Sequence, residues 1–445
     1  MTTSQPTADS TIKQRYSLWR FRIMVALILG YAFLYTTRTN LSFAILDIQK
    51  DLGYTKQQLG VAISVAGAIY GIGRFINGLI GDRCSPRLFF SVGIMLAALT
   101  NLCLSCTTNL TVITFLWGLN SYFQSMGAPA CASMLTHWFS PNKIGTQWAL
   151  WSTSQQMGYF ALSLSLPLCV GLLGWRCAFW LPGLLTLIAA FAVYILARSE
   201  PTDAGLPELE TFDDITPDIE DRYAHLSSFQ VFYRHILRSR VVWAMCLACF
   251  FIYFVRFTYF NWGPVFLQEA KGCDPLYAGR LLAVFYVADA IGGVLAGVAS
   301  DRLFKGHRGR VGFLFSAGLA LGLFCVWHMP AGNPWLHLVA MFVAGFFLTG
   351  PLTMISVSAV GFASKKAAGT ASGLTSIFGY IGVTLSGYGP ARIAEVSRNW
   401  NDVFVYMTLA ATAAAVCFLF TWNDRATYHK TQKESDDVTS LDQAA

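Results

Sequence analysis

The stretch GYAFLYTTRTNLSFAIL, residues 30–46, decides how this chain is read. It lies in an apolar run long enough to cross a bilayer, and it carries Arg38 near its middle. A second stretch, CFFIYFVRFTYFNWGPVFL, residues 249–267, does the same with Arg256. A cation at membrane depth costs at least ~2.5 kcal/mol even on the lenient insertion scale, so it faces a polar cavity or a partner. Two of them, 218 residues apart, point to an anion held between two related halves.

The composition agrees with a membrane setting. Of the 445 residues, 55% are hydrophobic and 12% charged, with a mean hydropathy of +0.49, whereas average soluble proteins carry about 25% charged residues. Apolar runs of about twenty residues read as transmembrane helices. Twelve occur, at 22–46, 59–81, 88–106, 111–137, 145–173, 176–197, 241–267, 277–300, 311–329, 336–360, 369–393 and 402–421. Strand alternation is nowhere sustained, which argues against a barrel. The expected fold is therefore an all-α integral membrane protein. The first apolar run is too long for a signal-peptide core, so helix 1 is expected to be retained. With both termini placed in the cytoplasm, the inner segments hold about three times as many Lys and Arg as the outer loops. The net charge of +7 thus reports topology, and no nucleic-acid partner is expected.

Eleven cysteines are scattered through the chain. Cys103/Cys106 and Cys246/Cys249 have CxxC spacing but lie in apolar runs without nearby histidines, so they read as packing residues. No metal site and no cofactor are expected. Nor is there a nucleophile–base pair or a phosphate-cradling glycine loop, so the chain is not read as an enzyme.

The sequence divides into a tail (1–21), a six-helix bundle (22–197), an acidic, proline-bearing linker (198–240), a second six-helix bundle (241–421) and a C-terminal tail (422–445). The bundles repeat in register. Gly78 to Asp82-Arg83, with Arg87, matches Gly297 to Asp301-Arg302, with Arg308 and Arg310, and the aspartates are 219 residues apart. Gly145-Thr146 matches Gly369-Thr370 at an offset of 224. Parallel six-helix halves place substrate at their interface near the midplane.

These loops suggest cytoplasmic gates: Asp82 or Asp301 accepting from arginines and backbone donors, with Arg83, Arg87 and Arg302 in the network. The plainer reading is ordinary loop charge that sets topology. Around the membrane arginines, Tyr31 and Tyr35 share a helix face with Arg38. Tyr70 lies one turn from Arg74, and Tyr253 and Tyr259 flank Arg256. Arginine supplies a rigid fork of donors suited to phosphate, and tyrosine adds a hydroxyl and a wall for an organic body. Alternatives stand beside this: Arg38 and Arg256 paired to a buried carboxylate, a residue type nearly absent from the apolar spans with Asp289 the clearest case, and Arg74 snorkelling to the cytoplasmic face.

The GxxxDR…R loops closely resemble those of the major facilitator superfamily. GYAFLYTTRTN, YGIGRFINGLIGDR (70–83), LWGLNSYFQSMGAPACASMLTHWF (116–139) with WALWSTSQQMG (148–158), and VRFTYFNWGPVFL (255–267) narrow the resemblance to organophosphate:phosphate antiporters. GWR at 174–176, TDAGLP at 202–207 and SDRLFKGHRG at 300–309 resemble the hexose-phosphate transporter and sensor branch. The resemblance implies that Arg38 and Arg256 hold phosphate, that Arg74 stands where lysine is usual, and that Tyr31, Tyr35, Tyr70, Tyr253 and Tyr380 line the cavity. The chain departs from the pattern at Thr39 (usually lysine), Asn261 (aspartate), Gln155 (histidine) and Tyr286 (glutamate), with Asp289 one turn on.

The function so implied is exchange of a sugar phosphate, glucose 6-phosphate or another hexose phosphate, for inorganic phosphate, with Gln155 and Asn261 among the contacts. The mechanism expected is a rocking of two bundles whose empty site holds uncompensated cations. A membrane sensor of hexose phosphate that signals to a partner kinase, or a carrier of another organic anion, are the alternatives. The expected setting is the bacterial inner membrane, with both termini cytoplasmic and the chain monomeric in the lipid bilayer.

Overall fold

Long apolar runs leave the backbone no hydrogen-bonding partner in lipid except itself, so each becomes helical. The computed structural model describes residues 8–212, 239–330, 332–361 and 365–423, and contains no strand among them. The first span is α1 (Ala8–Thr36) with α2 (Asn40–Leu52). Then come α3 (Lys56–Gly81), α4 (Pro86–Ser105), the interrupted pair α5 (Leu110–Gln124) and α6 (Gly127–Trp138), the pair α7 (Pro141–Ser152) and α8 (Ser154–Leu173), and α9 (Cys177–Leu196). After the short α10 (Leu209–Phe212) come α11 (Arg240–Glu269) and α12 (Pro275–Val298), which ends in a wide turn over Ala299–Leu303. The last spans are α13 (Arg308–His328), the pair α14 (Pro334–Phe346) and α15 (Thr349–Gly361), α16 (Lys365–Val396) and α17 (Asn401–Leu419). Ten spans are apolar enough to cross a membrane by length and composition alone. The other two are the interrupted α5–α6 and the glycine- and serine-bearing α16, which completes the expected twelve.

Local chemistry starts these helices where the sequence allows. Asn109 Oδ1 accepts from the Thr111 and Val112 amides, and Asp274 Oδ1 from that of Tyr277. Pro86, Pro141, Pro275 and Pro334 occupy first-turn positions, where a missing N–H costs nothing.

The chain forms two compact units, Met1–Tyr54 with Ile69–Asp218, and Thr55–Ala68 with Ile219–Ala445. The first half of α3, which the sequence assigns to the 22–197 bundle, thus packs within the second unit. Its bonds there explain why: Lys56 Nζ lies 2.8 Å from Glu269 Oε1, the Gln57 amide donates to Glu395 Oε2 at 3.0 Å, and the Tyr388 amide donates to Ser64 Oγ at 2.8 Å. Within each unit the repeat recurs as packing. A Cβ on Gly158 would lie 2.4 Å from the Ala32 carbonyl oxygen, and one on Gly382 2.4 Å from that of Phe250. Both glycines let two backbones touch at matching places, at the same 218- and 224-residue offsets that align the sequence.

The motif residues find structural work as well. Trp175 Nε1 donates to Asp51 Oδ2 at 2.9 Å, tying the α8–α9 turn to the end of α2. In TDAGLP the Ala204 carbonyl accepts from Arg15 and the Pro207 carbonyl from the Tyr16 hydroxyl, so the start of the linker docks on α1. Residues 8–21, read as tail, continue the first helix outward. Most of the linker (213–238) and the tails at 1–7 and 424–445 lie outside the described residues, as do the side chains of Gly369-Thr370.

Candidate functional site: an arginine centre in each unit

In the first unit the helix breaks beside the cation. Thr36 and Thr37 turn their hydroxyls back onto the carbonyls of Phe33 and Leu34, at 2.7 and 2.8 Å. Such back-bonding competes with the helical ladder, and the backbone tightens: the Thr37 and Arg38 amides bond three residues back, to Leu34 and Tyr35. Arg38 therefore sits in the gap between α1 and α2. Its Nη1 donates to the Tyr35 hydroxyl at 3.1 Å. Its guanidinium carbon lies 4.0 Å from the ring centre of Tyr70 and 5.0 Å from that of Tyr35. Tyr31 continues the wall, 4.9 Å from Tyr35 and 4.7 Å from Trp151, ring centre to ring centre. The three tyrosines are buried and Arg38 is half-buried. Arg74, one turn beyond Tyr70, is exposed. Gln155 is half-buried, just past the break between α7 and α8.

The second unit treats its arginine differently. Arg256 lies inside the unbroken α11 and is 7% exposed. Its Nη2 is 3.5 Å from Asp289 Oδ2 on α12, and Asp289 is wholly buried. Its Nη1 donates to Thr349 Oγ1 at 2.6 Å, and its guanidinium lies 4.9 Å from the Phe260 ring centre. Tyr253 meets Tyr380 edge to face at 5.8 Å. Asn261 is buried, and the adjacent Trp262 is anchored by Nε1 on the Ser386 and Gly387 carbonyls. Tyr259 stacks on Phe285 and directs its hydroxyl to Met341 Sδ. Tyr286, where the resemblance puts glutamate, packs against Phe260.

One expectation is corrected here: Arg256 is not an uncompensated cation, because Asp289 of its own unit stands beside it. That carboxylate, read as a stand-in one turn beyond Tyr286, is the partner. Thr349 was missed, since a hydroxyl 93 residues away leaves no trace in local spacing.

The loop residues that the sequence suggests as gates lie apart from these centres along the chain. Asp82, Arg83, Asp301 and Arg302 are exposed. Arg87 Nε donates to the Tyr194 carbonyl at 2.8 Å and its guanidinium lies 4.3 Å from the Tyr194 ring centre. Arg308 donates to the Val357 carbonyl and feels the charge of Asp301.

A membrane chain of twelve helical spans, with repeated halves that each carry an arginine within the membrane, has the architecture of a solute carrier. The sequence profile of the Major Facilitator Superfamily matches residues 27–387, and the chain belongs to that family. Among its relatives, a probable hexose phosphate transport protein of Chlamydia trachomatis is 34% identical over 93% of both chains. The membrane sensor protein UhpC of Salmonella typhimurium is 30% identical, with 92% of each chain covered. The hexose-6-phosphate:phosphate antiporter of Escherichia coli is 26% identical, with 93% of each covered. In fold, the chain matches a bacterial homologue of the lysosomal transporter Spinster in its inward-facing, occupied conformation. The TM-score is 0.71 at 14% identity, covering 91% of this chain and 97% of that one.

Proposed function

We propose that this protein exchanges a hexose phosphate for inorganic phosphate across a bacterial inner membrane, as a monomer with both termini in the cytoplasm, and does no covalent chemistry on its cargo. The observation that carries the reading is the geometry at Arg256. A well-made charge-assisted N–H···O bond is about 2.7–2.9 Å long, whereas Arg256 and Asp289 stand 3.5 Å apart. A looser pair is one that a phosphate dianion can displace, because the dianion offers more charge and two oxygens to the fork.

In this mechanism an anion is held by Arg38 and Arg256, with Arg74 adding attraction and Tyr31, Tyr35, Tyr70, Tyr253, Tyr380, Gln155 and Asn261 shaping the body of the site. Without an anion, Arg256 falls back on Asp289 within its own unit. A ligand drives a transition only by binding one state better than the other, and here the anion is what favours rocking of the bundles. Phosphate on one side and sugar phosphate on the other each satisfy the arginines, which yields exchange rather than net flux. Asp82, Arg83, Arg87, Asp301 and Arg302 act as gates at the cytoplasmic face.

The resemblance to UhpC supports a second reading, a sensor of external hexose phosphate that signals to a membrane kinase. Liposomes separate the two. With purified protein and internal phosphate, labelled glucose 6-phosphate enters only in exchange, and unphosphorylated glucose does not compete. Competitive binding of both phosphates without exchange favours the sensor, and equal binding of free glucose refutes both.

A further inference from the structure

Four carboxamides form a chain that closes over the break beside Arg38. Asn40, the first residue of α2, donates to Asn101 Oδ1 at 2.8 Å and also to the Ala178 carbonyl at 2.8 Å. Asn101 on α4 donates to Asn120 Oδ1 at 3.0 Å. Asn120 on α5 donates to the Thr37 carbonyl at 2.9 Å, and Gln124, one turn on, donates to the same carbonyl at 2.8 Å. The chain begins just after Arg38, at Asn40, and ends just before it, at Thr37. Asn40, Asn101 and Asn120 are wholly buried, and Gln124 is 3% exposed.

Physical chemistry gives this chain a direction. The break takes the Thr37 carbonyl out of the helical ladder, and a buried carbonyl demands a donor. Two side-chain amides supply it, and each amide upstream polarises the next. Gln124 Nε2 donates to the Thr37 carbonyl, the Thr37 hydroxyl and Asn120 Oδ1, all within the first unit. The matching helix of the second unit is unbroken at Arg256 and has valine and threonine, Val255 and Thr258, where the first has Thr37 and Asn40. The device is therefore specific to one arginine and not a general feature of the repeat.

We infer that Asn120 and Gln124 are positioning residues for Arg38: through the Thr37 carbonyl they fix the backbone at the break and so aim the guanidinium at the phosphoryl group. The inference rests on the proposed role of Arg38 in phosphate binding. Because they act through Arg38 and touch no part of the sugar, their loss weakens inorganic phosphate and sugar phosphate by the same factor.

The test is counterflow of labelled inorganic phosphate by the reconstituted full-length protein, with Gln124→Met and Asn120→Leu beside Arg38→Lys. Both amide variants keep the side chain's approximate size and remove the donors to Thr37. The expected result is a KM raised about tenfold for inorganic phosphate and, by competition, equally for glucose 6-phosphate, with kcat per inserted carrier within about twofold of the wild type. A merely structural role lowers the amount of inserted carrier and leaves KM unchanged. Unchanged KM in both variants while Arg38→Lys raises it overturns the inference and leaves the transport reading standing. Normal exchange by Arg38→Lys sinks the reading beneath it. Failure of both amide variants to insert assigns the chain to folding and overturns the inference as well.

Discussion

Asp289→Asn tests the claim that a buried carboxylate and the transported anion compete for one arginine. At the observed 3.5 Å and an effective dielectric of ~20, unit charges attract by about 5 kcal/mol before desolvation is counted. Desolvation of a buried pair cancels most of this. A residual of ~1.4 kcal/mol still corresponds to a decade in affinity. In the variant, phosphate no longer has to displace a carboxylate, so its Kd falls about tenfold in a calorimetric titration of purified protein. Breaking one side of a buried pair also strands the other charge, at a cost of ~3–5 kcal/mol. The anion-free variant therefore melts at a lower temperature than the wild type and recovers on adding phosphate by a larger margin. Exchange slows, because the anion is released less readily. A Kd that is unchanged or raised refutes the reasoning, since Asp289 would then assist binding or stand outside it.

Arg38→Lys and Arg256→Lys each keep the charge but lose the planar fork. Each is expected to lower phosphate affinity by ~1.5–3 kcal/mol, one to two decades, in counterflow at equal membrane abundance, whereas the exposed Arg74 is replaceable by lysine. Asp82→Asn and Asp301→Asn are expected to change turnover more than KM, and a large affinity loss with normal turnover would move them from gate to site. Gln155→His places a titratable cation beside the anion, so relative to wild type its phosphate affinity falls as pH rises from about 5 to 8. A pH profile parallel to that of the wild type would place residue 155 away from the anion.

The spans were legible because lipid leaves an apolar run so few options, and the repeat because its markers share a register. The contacts of Gly158 with Ala32 and Gly382 with Phe250 follow that same register in the fold. The interruptions were not legible. Thr37–Thr39, Ser125-Met126 and Thr153 lie inside longer apolar runs, and polar residues there mark a site or a partner without marking a break in the helix. What holds the first break is tertiary: amides of Asn120 and Gln124, more than eighty residues away in sequence. A lone asparagine in an apolar run announces a partner without naming it. The arginines and Tyr35 were readable for the opposite reason, since their spacing is local and charge at membrane depth is costly. Thr349 and the loose Asp289 contact needed the fold, because neither is close to Arg256 in the chain.

The repeat delivers the two arginines to equivalent helices, yet their surroundings differ in kind. Arg38 rests on the faces of Tyr35 and Tyr70, and aromatic faces lower the cost of a cation without cancelling its charge. Arg256 faces a carboxylate, so to an approaching dianion that pair is nearly neutral until it opens. On the proposed mechanism, the attraction that draws the anion in is strongest on the side of Arg38 and Arg74, and Arg256 joins only by giving up Asp289. An ordered capture of this kind gives the two positions different kinetic signatures. Substitution at Arg38 slows the association of phosphate, and substitution at Arg256 hastens its dissociation. A strictly symmetric pair would show both effects at both positions.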